Sequence, residues 1–152
     1  MGRVGAQVVA EGTVAAAEAL WFDVRRWATF VDGFGAVARA DETWPRAGAI
    51  VWDSRPDGRG RVVERVVSHA PGAGHEADVE DERLTGRQAV RFADAGEGRV
   101  AVALELRYQL KQRYPWTPVV DALFIRRAVG DSLRRTLRRF AIELAAEVDL
   151  GV

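Results

Sequence analysis

The sequence predicts an α+β fold in which a curved antiparallel sheet of six or seven strands surrounds a long C-terminal helix, with two short helices after the first strand. Three observations favour it. Strand-like segments separated by Gly- and Pro-containing turns fill the middle of the chain, and no helical segment interrupts them. A long amphipathic stretch follows the last of these strands. The length of 152 residues suits one domain covering 1–152.

The charge balance excludes several classes of function. Basic and acidic side chains number 22 each, so no net charge attracts nucleic acid or an anionic membrane. No apolar run approaches the ~18 residues that a membrane span needs. The sequence contains no cysteine, which suits a reducing compartment. We therefore expect a cytoplasmic protein without nucleic-acid partners or stable membrane insertion, and the oligomeric state stays open.

The N-terminal part of the chain predicts one strand and two helices. Gln7 to Thr13 is typical of a strand. Val14 to Val24 is rich in alanine and places Leu20, Trp21 and Val24 at helical spacing, which predicts the first helix. Trp27 to Val31 predicts a second, shorter helix.

The central part predicts an antiparallel meander. Its strand-like segments are Ala36 to Ala40, Ala49 to Ser54, Arg61 to His69, His75 to Asp81, Gln88 to Ala93 and Arg99 to Lys111. The last segment alternates apolar and polar residues along its length, so we expect one face buried and the other solvated. In the fifth strand, Ala77 and Val79 are the expected inward residues on energetic grounds, with Asp78 and Glu80 as the alternative.

The C-terminal part predicts one long helix. Thr117 suits its N-cap and Pro118 its first turn, and the helix should end near Val148. An apolar stripe recurs at helical spacing. Its residues are Leu133, Leu137, Phe140, Leu144 and Val148, with an upstream extension through Val120, Leu123 and Arg127.

Three stretches resemble the START-like, or SRPBCC, superfamily with its helix-grip fold, and the resemblance covers nearly the whole chain. They are residues 19–21 (ALW) with 26–31 (RWATFV), residues 54–57 (SRPD) with 60–64 (GRVVE), and the run from Pro118 through Phe140. The first is similar to the helix pair that opens the pocket, the second to a strand-turn-strand of bacterial polyketide aromatase/cyclases, and the third to their closing helix.

The resemblance implies a pocket for an apolar small molecule and two kinds of activity. Some relatives bind or carry sterols, lipids, quinones or hormones, and others fold and aromatise polyketide chains. In the cyclases a tyrosine, a serine and an arginine contribute to the site, and the matching positions here are Phe34, Val67 and His69. Phenylalanine and valine cannot donate a proton, so this chain departs from that residue set.

The strand from Arg61 to His69 supplies candidate polar groups. Its alternation predicts Val63, Arg65, Val67 and His69 on one face, which the resemblance turns inward. An inward Arg65 would favour an anionic or carbonyl-bearing ligand, and His69 would exchange protons near neutral pH. In the alternative interpretation both lie solvated or paired at the strand margin.

The candidate site residues follow from the strand faces, the aromatic residues and the resemblance. The candidate catalytic residues are His69, Arg65 and Tyr108. The candidate ligand-binding residues are Trp27, Phe30, Phe34, Trp52, Val67, Phe92, Leu106, Phe124 and Arg127. His69 and His75 flank a turn without further ligands at suitable spacing, so we expect neither a metal nor a cofactor.

Three functions remain open from the sequence. The first is a protein that binds a hydrophobic, ring-containing small molecule with one acidic or carbonyl group. The second is a polyketide cyclase- or aromatase-like enzyme acting on a poly-ketone in the same pocket. The third is an interaction module with a collapsed pocket and the Arg-rich last helix as its contact surface, which a volume well below ~300 Å³ would favour.

Overall fold

The computed structural model describes residues 1–111 and 119–151, with side chains for residues 1–111 and 122–151. Seven strands form one antiparallel sheet in the order β1-β7-β6-β5-β4-β3-β2. They are β1 Gly2–Glu11, β2 Phe34–Ala40, β3 Ala49–Ser54, β4 Arg61–Ala70, β5 Gly74–Glu80, β6 Leu84–Gly96 and β7 Arg99–Leu110. The predicted meander is confirmed, and β1 joins it beside the last strand.

The helices lie where the apolar spacing predicts them. They are α1 Val14–Trp21, a 3-10 turn Val24–Arg26, α2 Trp27–Phe30 and α3 Val119–Asp149. Thr13 caps α1, since its hydroxyl accepts a hydrogen bond of 3.1 Å from the Ala16 N–H. The predicted N-cap Thr117 and first-turn Pro118 lie outside the described residues. None of the described helices combines the length and the apolarity that a membrane crossing requires.

The long helix α3 packs on the sheet through part of the predicted stripe. Its buried members are Leu133, Leu137, Phe140 and Leu144. The Phe140 ring meets those of Trp21 and Phe30 edge-on at centroid distances of 5.3 and 5.2 Å, in the arrangement that aromatic pairs prefer. The upstream extension is wrong at Leu123, which is 60% exposed, and at Arg127, which is also exposed; the side chain of Val120 lies outside the described residues. Val148, the predicted last member of the stripe, is exposed as well.

Ion pairs hold α3 against the region of α1 and α2. Asp32 follows α2, and its carboxylate accepts hydrogen bonds from Ser132, Arg135 and Arg139. Its backbone N–H donates to the Thr136 hydroxyl at 3.0 Å. The arginines and Ser132 hold the pKa of Asp32 below its ordinary range, although its burial opposes them. Asp32 therefore fixes this segment to three turns of α3.

A β-bulge decides which residues of β4 face inward. Val62 is fully buried, and Trp52 on the paired strand shares its inward face. The pairing of β4 with β5 shifts between Val66 and Ser68. Because an extra residue enters one strand there, the alternation of faces changes at that point. The inward set is therefore Val62, Glu64 and Val66 before the bulge and His69 after it.

The prediction for this strand was wrong for Val63, Arg65 and Val67 and right for His69. Arg65 and Val67 lie on the outer, solvated face, and Val67 is 43% exposed. The prediction assumed that residues of β4 alternate regularly between the two faces, which places these residues on the face of His69. The bulge breaks that alternation. In β5, Ala77 and Val79 are each 2% exposed, in agreement with the expectation that the apolar residues face inward.

Candidate functional site

A small cavity lies between the inner face of the sheet, the helix pair and α3. Its volume is about 60 Å³, and Trp27, Trp44 and Trp52 form an aromatic wall around it. Three polar side chains of the sheet, Glu64, His75 and Gln88, also line it. Asp32, Arg59, Ser132 and Thr136 line it as well, so the cavity combines an aromatic wall with polar groups that can orient a ligand.

The three tryptophans of the aromatic wall come from α2, from the loop between β2 and β3, and from β3. The Trp27 ring meets Trp44 and Trp52 edge-on, at centroid distances of 5.7 and 6.3 Å. Phe22 packs edge-on against Trp44 at 5.7 Å. The Trp27 indole N–H donates a 2.8 Å hydrogen bond to the Trp21 carbonyl, which leaves its ring for the wall. Trp44 lies on the loop between β2 and β3 and is the partly exposed member of the wall.

Glu64 is the most unusual polar group of the cavity. It lies on the inward face of β4, and its carboxyl Oε2 accepts a 2.6 Å hydrogen bond from the Trp52 indole N–H. Glu64 as a whole is half-buried, its carboxyl group is surrounded by protein atoms, and the residue lines the cavity. Burial raises the pKa of Glu64 above the ordinary range, although the Trp52 hydrogen bond and the charge of Arg59 oppose this. The neutral acid is therefore favoured.

The nearest cation already has a partner. The Arg59 guanidinium stacks over the Trp52 ring at 5.6 Å and donates a 2.7 Å hydrogen bond through Nε to Asp81. Asp81 is 3% exposed and also accepts the backbone N–H groups of Arg83 and Leu84. Arg59 and Asp81 thus neutralise each other at the cavity rim.

The two histidines lie together near one end of the cavity. His75 Nε2 lies 3.0 Å from the Pro45 carbonyl oxygen and donates to it. Burial lowers the pKa of His75, which favours the neutral ring. His69 packs 5.4 Å from the His75 ring. Among the described residues its buried Nε2 has no hydrogen-bond partner, and it lies 3.9 Å from a Glu18 carboxylate oxygen.

The candidate ligand-binding residues divide into three groups. Trp27 and Trp52 line the cavity. Four others are buried in the surrounding core: Phe30, Phe34, Phe92 and Leu106. The remaining three are exposed and do not line it, which corrects the prediction: Val67, Phe124 and Arg127.

The three candidate catalytic residues do not converge. Arg65 lies on the outer face of the sheet. His69 and Tyr108 both face inward, but β5 and β6 lie between their strands. Three strand spacings separate their Cα atoms by about 14 Å across the sheet. The register places Tyr108 four residues beyond the partner of His69 on β7, which adds a separation of about 13 Å along the strands. Tyr108 is buried, and that burial raises the pKa of its hydroxyl.

Sequence reasoning missed Trp44, Glu64 and Gln88 as parts of the cavity. Glu64 alternates with the apolar residues Val62 and Val66, so choosing that face of the strand would have found it. The neighbouring pair Val63 and Val67 fits the opposite face equally well. The sequence gives no comparable indication for Trp44, which reaches the cavity from a loop.

The comparisons with known proteins identify the family and the fold. Residues 1–145 match the family described as polyketide cyclase / dehydrase and lipid transport. No curated protein is significantly similar in sequence. Many solved structures share the fold.

Three of these structures illustrate the range. The Zhui aromatase/cyclase from Streptomyces sp. R1128 superposes with a TM-score of 0.81 at 12% identity, covering 97% of this chain and 95% of that one. The di-domain ARO/CYC StfQ of the steffimycin biosynthetic pathway gives 0.74 at 19% identity, covering 99% of this chain and 52% of that one. A START superfamily protein from Mycobacterium smegmatis gives 0.65 at 14% identity, covering 99% of both chains.

At identities of 12–19%, the similarity to these structures shows the fold alone. The match over residues 1–145 shows the family to which the chain belongs. The chain belongs to the polyketide cyclase / dehydrase and lipid transport family and has the helix-grip fold of the START-like superfamily.

Proposed function

We propose that this chain is one START-like domain, 1–152, that binds a hydrophobic, ring-containing small molecule between its sheet and α3. The observation that supports it best is Glu64, an acid enclosed beside the aromatic wall formed by Trp27, Trp44 and Trp52. A buried carboxyl group costs free energy that an apolar residue of similar size would not. Enclosed groups with shifted pKa values are concentrated at functional sites, which favours a binding site over plain core.

A ring-sized ligand requires the cavity to widen. A volume of about 60 Å³ has room for a few water molecules and lies far below the roughly 300–1,000 Å³ of typical ligand pockets. Trp44 is the wall residue best placed to move, because it is partly exposed and lies on the loop between β2 and β3. Swinging its ring outward would join the cavity to solvent and leave the sheet and α3 intact.

Two rival functions use the same fold. The small volume favours an interaction module in which the cavity stays closed. The similarity to proteins named aromatase/cyclases favours an enzyme. For a reaction in the cavity, the available acid is Glu64 and the neutral imidazole is His75, in place of the predicted Arg65, His69 and Tyr108. Proton transfer would require a substrate that reaches both groups.

A binding experiment with a filled cavity tests the proposal. We expect 2-naphthol to quench tryptophan fluorescence saturably, because three tryptophans line the cavity. Leu133→Phe should abolish this binding, since Leu133 lines the cavity from α3 and the larger ring occupies its volume. Phe124→Ala is the matched control on the same helix, because Phe124 is 72% exposed.

The outcomes separate the hypotheses. Absence of saturable quenching in the folded wild type would refute the proposal and favour the closed interaction module. Binding that survives Leu133→Phe but disappears in Phe124→Ala would place the ligand on the outer surface of α3. Circular dichroism of each variant confirms that it is folded.

A further inference from the structure

The charge of the cavity lining limits the chemistry of its ligand. Arg59 is paired with Asp81 at 2.7 Å, and Asp32 is paired with Arg135 and Arg139. His75 donates its Nε2 proton to the Pro45 carbonyl oxygen and is favoured as the neutral ring. Among the described residues of the lining, Glu64 is therefore the acidic group that has no ion-pair partner.

The surroundings of Glu64 favour its neutral form on geometric grounds. Among the described residues, the Trp52 indole N–H is the hydrogen-bond donor to its carboxyl group, and it occupies Oε2. One neutral donor in an aromatic wall is poor compensation for a buried negative charge. The shift in the pKa of Glu64 points the same way. When the acid is neutral, Oε2 acts as the carbonyl oxygen that accepts from Trp52, and the proton lies on Oε1.

Resting on the proposed function, we infer that Glu64 donates a hydrogen bond through its neutral carboxyl group to a carbonyl oxygen of the bound molecule, so that the site selects neutral ring ketones or quinones. Gln88 lines the same space and can provide a second polar contact. A carboxylate ligand meets no unpaired cation in the described lining, because Arg59 is held by Asp81. An ammonium ligand meets no unpaired carboxylate unless Glu64 loses its proton, because Asp32 is held by Arg135 and Arg139. The sequence predicted an acidic or carbonyl group on the ligand from an inward Arg65, and the structure places Arg65 outside. Glu64 supports the carbonyl group and not the acidic one.

Four naphthalene compounds of similar shape test this selection. They are 2-acetylnaphthalene, 2-isopropylnaphthalene, 2-naphthoate and 2-naphthylmethylammonium. In wild type we expect the ketone to bind roughly 3- to 10-fold more tightly than the hydrocarbon, the gain of one neutral hydrogen bond. The two ions should bind more weakly than the hydrocarbon, because each loses its hydration without gaining an opposite charge.

Two variants separate the donor from the space that it fills. Glu64→Gln keeps an N–H donor in the same place and should keep the preference for the ketone. Glu64→Leu removes the donor and should bind ketone and hydrocarbon equally. A preference that survives in Glu64→Leu would overturn the inference. So would tight binding of the ammonium compound that disappears in Glu64→Gln, since that pattern requires an ionised Glu64.

A measurement on the wild type alone makes the test independent of how well the variants fold. The ratio of ketone to hydrocarbon affinity should fall toward one as the pH rises and Glu64 ionises. A ratio that stays constant to pH 9 would contradict the inference. Equal binding of ketone and hydrocarbon at neutral pH removes the inference but keeps the proposed function, whereas failure of all four compounds to bind removes both.

Discussion

The attachment of α3 to the sheet can be tested at Leu137. This residue is 2% exposed and lies in the buried stripe between Leu133 and Phe140. Leu137→Ala removes most of an apolar side chain from a fully enclosed position. The lost transfer free energy amounts to about 2 kcal/mol, at roughly 0.8 kcal/mol for each buried carbon group. A residual cavity raises the expected loss of stability to about 3–5 kcal/mol.

Urea denaturation provides the assay. With a typical slope of about 1.5–2.5 kcal/mol per molar urea, the midpoint should fall by roughly 1–3 M while the slope stays constant. Ile142→Ala is the matched control, since Ile142 lies on the same helix and is 63% exposed. Its effect should remain within about 0.5 kcal/mol. Equal losses in the two variants would refute the conclusion that α3 packs through the face of Leu137.

Two further predictions concern pH. Burial raises the pKa of Glu64 in the native state. The contribution of Glu64 to the free energy of unfolding is therefore fully present below the unfolded pKa of about 4.3 and is lost as the pH rises through the native pKa. The loss amounts to at most about 1.4 kcal/mol per pH unit. Glu64→Gln should remove this decline in urea titrations from pH 4 to 8, and an unchanged profile would mean that Glu64 ionises freely. Burial lowers the pKa of His75. The contribution of His75 to the free energy of unfolding is therefore fully present above the unfolded pKa of about 6.5 and is lost as the pH falls toward the native pKa. His75→Gln should reduce the loss of unfolding free energy as the pH falls. If wild type and variant lose the same free energy of unfolding on the acid side, the lowered pKa of His75 is contradicted.

Much of the fold could be predicted because its longest elements have unambiguous patterns. In β7, Val100, Val102, Leu104 and Leu106 alternate with less buried residues, and all four are at most 3% exposed. In the second half of α3 the helical spacing of apolar residues matches the buried stripe. The upstream part of α3 could not be predicted this way, because Leu123 fits the helical period but is exposed. Periodicity identifies a possible buried face, and tertiary contacts decide how far along the helix that face is used.

The aromatic wall was only partly predictable, for a different reason. Trp27 and Trp52 lie on regular elements whose inward faces can be derived from spacing. Trp44 lies on the loop between β2 and β3, where no period exists, so its approach to Trp27 depends on the path of that loop. Residues that reach a site from loops are those that local patterns identify least well.

The polar chemistry of the site depended on a single extra residue in β4. Valine occupies both faces of this strand, at Val62 and Val66 on one and at Val63 and Val67 on the other, so apolar alternation cannot choose between them. His69 follows Glu64 by five residues, so regular alternation would place the two on opposite faces. The bulge between them brings both to the same face. An inward Arg65 would have favoured an anionic or carbonyl-bearing ligand. The inward Glu64, whose neutral form its aromatic surroundings favour, points instead to a neutral molecule that accepts a hydrogen bond. A shift of one residue in one strand therefore removes the reason to expect an anion and leaves the carbonyl-bearing ligand.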